Sequence, residues 1–257
     1  MDKRSSQGAR DITGTQPGTD PGTIHAVAFL QEGTIGGCYP VYSGSNEVFM
    51  LSLAWKGKHA RAIYKPRIGE APLWDFPDGT LYRRERAAYL VSEALGWRIV
   101  PPTVIRGGPH GVGMVQWFVN AAPSYDYRSL VENHESEFKK LAIFDCLVNN
   151  ADRKVGHCLV EDDGHLWGID HGLTFHCLPK LRTVIWDFSG RPVPAECVSD
   201  LRSLREKLSG RSLRTSLEQL LAAEEVEALS QRLSVILARP SFPMWTGSYR
   251  SVPWPPY

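Results

Sequence analysis

The chain has 257 residues, 42% of them hydrophobic and 22% charged, with a formal net charge of +1. That length supports one large core or two lobes, and the near-neutral balance offers no general attraction for nucleic acid or acidic membrane surfaces. Five cysteines with no C-x-x-C pair argue against a disulfide framework. With no basic-then-apolar leader and no apolar run of spanning length, the expectation is a cytoplasmic protein without stable membrane insertion.

Residues 1–23, rich in Gly, Ser, Thr, Asp and Pro, read as a disordered N-terminal tail. Short apolar stretches over 26–32, 48–54 and 60–65 read as strands, separated by segments carrying Gly33, Gly36, Gly37, Gly44 and Gly57. Lys56-Gly57-Lys58 reads as a hairpin turn. A loop over 66–79 precedes a helix over 80–97, on which Leu81, Ala88, Val91 and Leu95 recur at helical spacing before Gly96. Strands follow over 104–106 and 112–119.

Residues 137–149 are apolar on nearly every face, the mark of a buried helix. The stretches 158–161 and 165–169 alternate around Asp162-Asp163-Gly164 as a hairpin. Amphipathic helices are expected over 197–208 and 216–238, and residues 241–257 read as an aromatic, Pro-rich C-terminal tail packed along the surface. The first half is mostly antiparallel strand and the second mostly helix, an α+β pattern.

Two acids draw attention. Asp152 follows the buried helix directly in Asn149-Asn150-Ala151-Asp152, and Asp170 follows the apolar stretch Leu166-Trp167-Gly168-Ile169. Carboxylates fixed at the ends of apolar elements need partners, in cations or in a ligand. Asp152 could orient or deprotonate an attacking hydroxyl, with Arg153 or Lys154 offsetting charge, and Asp170 could bind Mg²⁺ through a hard oxygen. The plain alternative for either is a helix or turn cap.

Lys65 closes an apolar strand, where it either snorkels to solvent or presents its ammonium to phosphates. Glu85 borders the apolar stripe of its helix, and two pairings are open: with Lys65, or with Arg83, Arg84 or Arg86 on its own helix. Gly36-Gly37 and the segment Ser43, Gly44, Ser45, Asn46 could cover phosphates or be ordinary turns, since neither GxGxxG nor a Walker A pattern is present. A rival metal constellation would draw on His157, Cys158, His165, His171, His176 and Cys177, although their spacing does not repeat.

The peptides IYKPRIGEAPLWDFPDGTLYRRERAAYLVSEALGWRIVPPTV, NNADRKVGHCLV and GIDHGLTF occur in that order. In them the chain resembles a bacterial, largely actinomycete, PI3/PI4-kinase-like family of the protein-kinase-like fold. LAIFDCLVNNADR and IDHGLTF are more distantly similar to the catalytic and metal-binding segments of type II phosphatidylinositol 4-kinases, and HipA-type kinases share the reduced plan. The resemblance implies a bilobal fold: a sheet N-lobe over 24–119 that includes the helix over 80–97, and a helical C-lobe over 120–240.

It further implies Lys65 on the α/β-phosphates, paired with Glu85, and Ser43, Ser45 and Asn46 covering the phosphates. Gln116, Trp117 and Phe118 would form the hinge strand whose backbone meets adenine. Asp152 becomes the catalytic aspartate and Asp170 the main metal ligand. Where related kinases place a metal-binding Asn, five residues after the catalytic Asp, this chain has His157, which suits Mn²⁺ better than Mg²⁺. The implied cofactors are ATP with Mg²⁺ or Mn²⁺. The implied activity is γ-phosphoryl transfer to an unidentified protein Ser/Thr, small-molecule or inositol-lipid hydroxyl, with no nucleic acid partner. A catalytically inactive nucleotide-binding protein and a protein nucleotidyltransferase are the alternatives.

Overall fold

A computed structural model describes residues 24–42, 45–121 and 126–257. The expected tail over 1–23, together with Ser43 and Gly44 of the expected covering segment, lies outside the described residues. The chain opens with helix α1 (Ile24–Glu32), then strands β1 (Thr34–Val41), β2 (Val48–Trp55) and β3 (Lys58–Pro66). Helix α2 (Leu81–Leu95) and strands β4 (Thr103–Gly108) and β5 (Gly111–Trp117) follow. The five strands form one antiparallel sheet in the order β1-β2-β3-β5-β4.

The stretch over 26–32 is a helix and not the expected strand. Its buried residues Ala26, Phe29 and Leu30 fall at i, i+3 and i+4, a helical face. That face lies on the sheet, with the Phe29 ring edge-on to Trp55 and Trp117. A short apolar run cannot announce this choice by itself. Gly36 and Gly37 lie within β1, at a register irregularity between Ile35 and Gly37, so they are not a covering loop. The β2–β3 turn is as expected: Lys56 and Gly57 both have positive φ, 47° and 74°, the pair of left-handed residues a two-residue hairpin requires.

Alternation along β3 decides which side chains meet the second lobe. Ala60, Ala62 and Tyr64 are buried in the α1–sheet core, so Lys65 projects from the opposite face. The second, larger core is built from α4 (Glu135–Val148), α5 (Ala195–Ser209), α6 (Arg211–Glu218) and α7 (Ala223–Ala238), with α3 (Tyr127–Asn133) at its edge. The expected single helix over 216–238 is broken between α6 and α7 at 219–222.

The short hairpin β6 (Cys158–Val160) and β7 (Leu166–Gly168) carries the loops that bear the candidate acids. The apolar face of α2, including Ala88, Val91 and Leu95, belongs to this larger core. The buried ion pair of Arg84 with Glu225 at 2.6 Å fastens α2 to α7. No helix among the described residues is long and apolar enough to cross a membrane.

Helix α2 ends at Gly96, left-handed with φ 73°. The chain then turns back over the fully buried Ser92, whose Oγ accepts from Ile99 N–H at 3.0 Å and Val100 N–H at 3.2 Å. Ser92→Ala strands two buried donors and should cost about 2–4 kcal/mol, read as a lowered midpoint in urea unfolding at unchanged m-value.

Candidate active site

Three elements bring three charges together. Lys65 Nζ, at the end of β3, lies 2.7 Å from Glu85 Oε1 on α2 and 2.8 Å from Asp170 Oδ1 in the loop after β7. Glu85 is buried, and its second oxygen accepts from His171 N–H at 2.9 Å. Of the two pairings open in the sequence, the structure has Glu85 with Lys65. Its neighbour Arg84 instead meets Glu225 and Thr174 O. Burial opposes the charge on Lys65, but Asp170 and Glu85 outweigh it and raise the ammonium above its ordinary range. Burial likewise opposes ionisation of Asp170. Lys65 and His157 reverse that effect and hold the carboxyl well below the usual carboxylate range, although its side chain remains 41% exposed.

Asp152 stands in a loop that Asn149 and Asn150 shape. Asn149 closes α4 in the left-handed conformation, φ 55°, and its amide donates to His176 O and Leu178 O. Asn150 Oδ1 accepts from Asp152 N–H, and its amide donates to Asp145. The Asp152 carboxylate is 3.1 Å from Lys154 Nζ. Burial raises its carboxyl above the ordinary value despite that lysine. Asp170 also has positive φ, 60°, a conformation that costs a non-glycine residue about 1 kcal/mol and gathers at functional sites.

Of the two cations considered for offsetting charge at Asp152, only Lys154 is beside it. Arg153 points into the core and is fully buried. Its Nε and Nη2 fork onto Asp145, each at 2.9 Å, and its other N–H groups reach Ile169 O, His157 O and His171 Nε2. Asp145 and this role of Arg153 were not foreseen. The available signal was an acid inside the otherwise apolar run 141–148, eight residues before an arginine.

His157 joins the two acids. Its Nδ1 lies 3.1 Å from Asp152 O and its Nε2 3.3 Å from Asp170 Oδ2. Burial lowers its pKa to about 4, leaving it neutral at pH 7. With Nδ1–H donating to Asp152 O, the Nε2 lone pair converges with the Asp170 carboxylate. Two donors about 3 Å apart can share one cation, so the pair fits a divalent ion whose shell is otherwise filled by water and phosphate. Among the described residues no group of three or more His, Cys, Asp and Glu is arranged to hold a metal ion, and the members of the His/Cys constellation are dispersed. His165 packs on Trp167, His171 is tied to Arg153, and His176 stands edge-on to Phe76.

Asn46 Oδ1 accepts from Ala71 N–H, and Asn46 lines a gap of about 20 Å³ beside Lys65, Glu85 and Asp170. Ser45 is exposed. Gln116 is buried, with its amide donating to Thr103 Oγ1, and Trp117 packs in the sheet core. Their neighbour Phe118 holds the Arg61 guanidinium over its ring. A cavity of about 470 Å³ lies between the 67–79 loop and the β4–β5 turn and shares Glu70 and Leu81 with the gap beside Lys65.

A family model described as phosphatidylinositol 3- and 4-kinase matches residues 105–224, which include Asp152, His157 and Asp170. Protein Rv2133c of Mycobacterium tuberculosis is 37% identical over 268 residues, spanning 91% of this chain and 95% of that protein. The chain belongs to this PI3/PI4-kinase-like family. Phosphatidylinositol 4-kinase gamma 4 of Oryza sativa subsp. japonica is 32% identical over 133 residues, 44% of this chain and 21% of that much longer protein.

Two solved structures share the fold of this PI3/PI4-kinase-like chain. Hydra Fam20, solved with sugar, matches with TM-score 0.54 at 14% identity, covering 82% of this chain and 86% of its own. The Helicobacter pylori proinflammatory kinase CtkA matches with TM-score 0.51 at 12% identity, covering 83% and 94%. The expected bilobal, kinase-like fold is therefore the one observed.

Removing one partner of the Asp145–Arg153 pair leaves a buried charge alone. Asp145→Ala should lose about 3–5 kcal/mol in denaturant unfolding. Arg153→Lys should not restore the loss, because an ammonium cannot make the fork onto Asp145 or reach the two carbonyls.

Proposed function

We propose that this PI3/PI4-kinase-like protein transfers the γ-phosphoryl group of ATP to a hydroxyl. The observation that carries the reading is the meeting of Lys65, Glu85 and Asp170 from strand, helix and loop at 2.7 and 2.8 Å. Lys65 grips the phosphates, and Glu85 fixes the ammonium where it can do so. Asn46 and Ser45 cover the phosphates, and the backbone around Gln116, Trp117 and Phe118 faces the adenine. Trp117 N–H already donates to Pro102 O and Phe118 N–H to Arg61 O, so carbonyls are what this stretch offers the base.

Asp170 and His157 are the residues that would hold a divalent cation, which neutralises phosphate charge when bound. Asp170 Oδ1 is paired with Lys65 at 2.8 Å, so a cation held there would compete with that lysine for the carboxylate. Asp152 orients the acceptor hydroxyl. As that oxygen bonds to the γ-phosphorus, the bond from phosphorus to the β–γ bridging oxygen breaks and ADP leaves. The hydroxyl proton passes to Asp152, whose raised carboxyl suits it to accept one. Lys154 offsets the charge gathered there.

ATP labelled at the γ or the α position, incubated with the protein and a host lysate, separates the readings. We expect γ-label on an acceptor and a loss of about 10²–10⁴-fold in Asp152→Asn. Asp170→Asn should abolish transfer. Transfer of α-label instead would indicate nucleotidyl transfer. Thermal stabilisation by ATP with no transfer under either Mg²⁺ or Mn²⁺ would leave a nucleotide-binding protein.

The metal pair makes its own prediction. His157→Asn replaces an imidazole nitrogen by a hard amide oxygen and should raise the ratio of Mg²⁺-supported to Mn²⁺-supported rate by roughly tenfold. An unchanged ratio removes His157 from the metal site.

A further inference from the structure

The loop that bears Asp152 is covered by the chain's own residues 248–257. Thr183 N–H donates to Ser251 O at 3.0 Å, and the Trp186 indole N–H donates to the same carbonyl at 3.2 Å. Five residues further on, Pro256 O accepts from Val155 N–H at 2.9 Å. The segment at 182–184 runs beside the Asp152 loop. Arg153 N–H donates to Arg182 O and Val184 N–H to Arg153 O, a parallel bridge. The Asp152 loop, 182–184 and Ser251, the last residue of the short 3-10 turn Tyr249–Ser251, therefore lie side by side.

The three contacts to the covering segment each take one of its main-chain carbonyls, so none depends on which side chains it carries. Val155 is three residues beyond Asp152, at most about 11 Å of chain. The bound peptide thus passes close to where an acceptor hydroxyl must approach Asp152. None of these donors belongs to the Lys65–Glu85–Asp170 cluster, so nucleotide and peptide do not compete for them. The cover is also light: Pro253 is the one buried residue among its described side chains, while Trp254 is 90% exposed and Tyr257 80%. Main-chain amides and an indole are donors for peptide carbonyls.

We propose that Val155, Thr183 and Trp186 form an acceptor groove for a protein segment carrying Ser or Thr, and that residues 248–257 occupy this groove in cis. The hydroxyl chemistry rests on the kinase reading above; the peptide groove does not.

Two variants open the groove: a chain ending at Gly247, and a full-length Pro253→Asp that places a charge in the one buried contact. A fluorescent peptide of residues 248–257 should bind both by anisotropy, and bind the unaltered chain about fivefold or more weakly, because there the site is already filled. With γ-labelled ATP and casein as acceptor, both variants should transfer faster than the unaltered chain. The peptide should inhibit them in competition with casein and not with ATP. Failure of the peptide to bind either variant overturns the proposal. So does transfer to casein that is measurable but no faster in the variants, or labelling of phosphatidylinositol vesicles in preference to casein. If the peptide binds but no variant transfers label to anything, the kinase reading fails and the peptide groove stands.

Discussion

A guanidinium with no exposed surface sits where the two functional loops meet, and all five of its N–H donors are used. Arg153 forks onto Asp145 of α4, reaches the carbonyls of His157 and Ile169, and donates to the His171 ring. A buried charge of this kind costs several kcal/mol in lost hydration, and only complete hydrogen bonding with an opposite charge offsets it. The arrangement therefore admits few alternatives. Through one side chain, the helix that precedes Asp152 is fixed relative to the residue that precedes Asp170. The two acids can take up defined positions because the group between them cannot shift without stranding a charge.

The other constraint crosses between the lobes. Lys65 is delivered by the pleat of β3 and Glu85 by a helix whose apolar face lies in the larger core, so their pairing couples sheet to helices. The 66–79 loop adds a clasp beside it. Glu70 accepts from the Leu81 and Tyr82 N–H groups at the start of α2, Asp75 pairs with Lys180 at 2.7 Å, and Phe76 stands edge-on to His176. The residues after Asp170 are thus held from the N-lobe side by this loop and, at Thr183 and Trp186, by residues 248–257.

Much of the site was legible because charged residues at the ends of apolar elements are costly and need a reason. Asp152, Asp170 and Lys65 each stand out in that way. Glu85 could be narrowed only to two pairings, since helical spacing tells which face a side chain borders and not what crosses to meet it. Asp145 and Arg153 were harder, because a motif of adjacent acid and base does not reveal which of Arg153 and Lys154 turns inward. The helix over 26–32 was misread as a strand, since a short apolar run fits either until a packing partner selects its period.

The sequence by itself determined the order of strands and helices in most of the chain, the hairpin at Lys56-Gly57 and the acids that end its apolar elements. Local rules govern all of these: pleat and helix period, left-handed glycine, and the cost of charge beside apolar surface. Only the tertiary structure decided that Lys65 meets both Glu85 and Asp170, that Arg153 is a buried clamp, and that residues 248–257 cover the Asp152 loop. The Arg153 clamp spans 4 to 18 positions, and the other two outcomes join residues between 20 and 105 positions apart. At such separations the partner is chosen by which faces the folded lobes present to one another, a choice that no local pattern encodes.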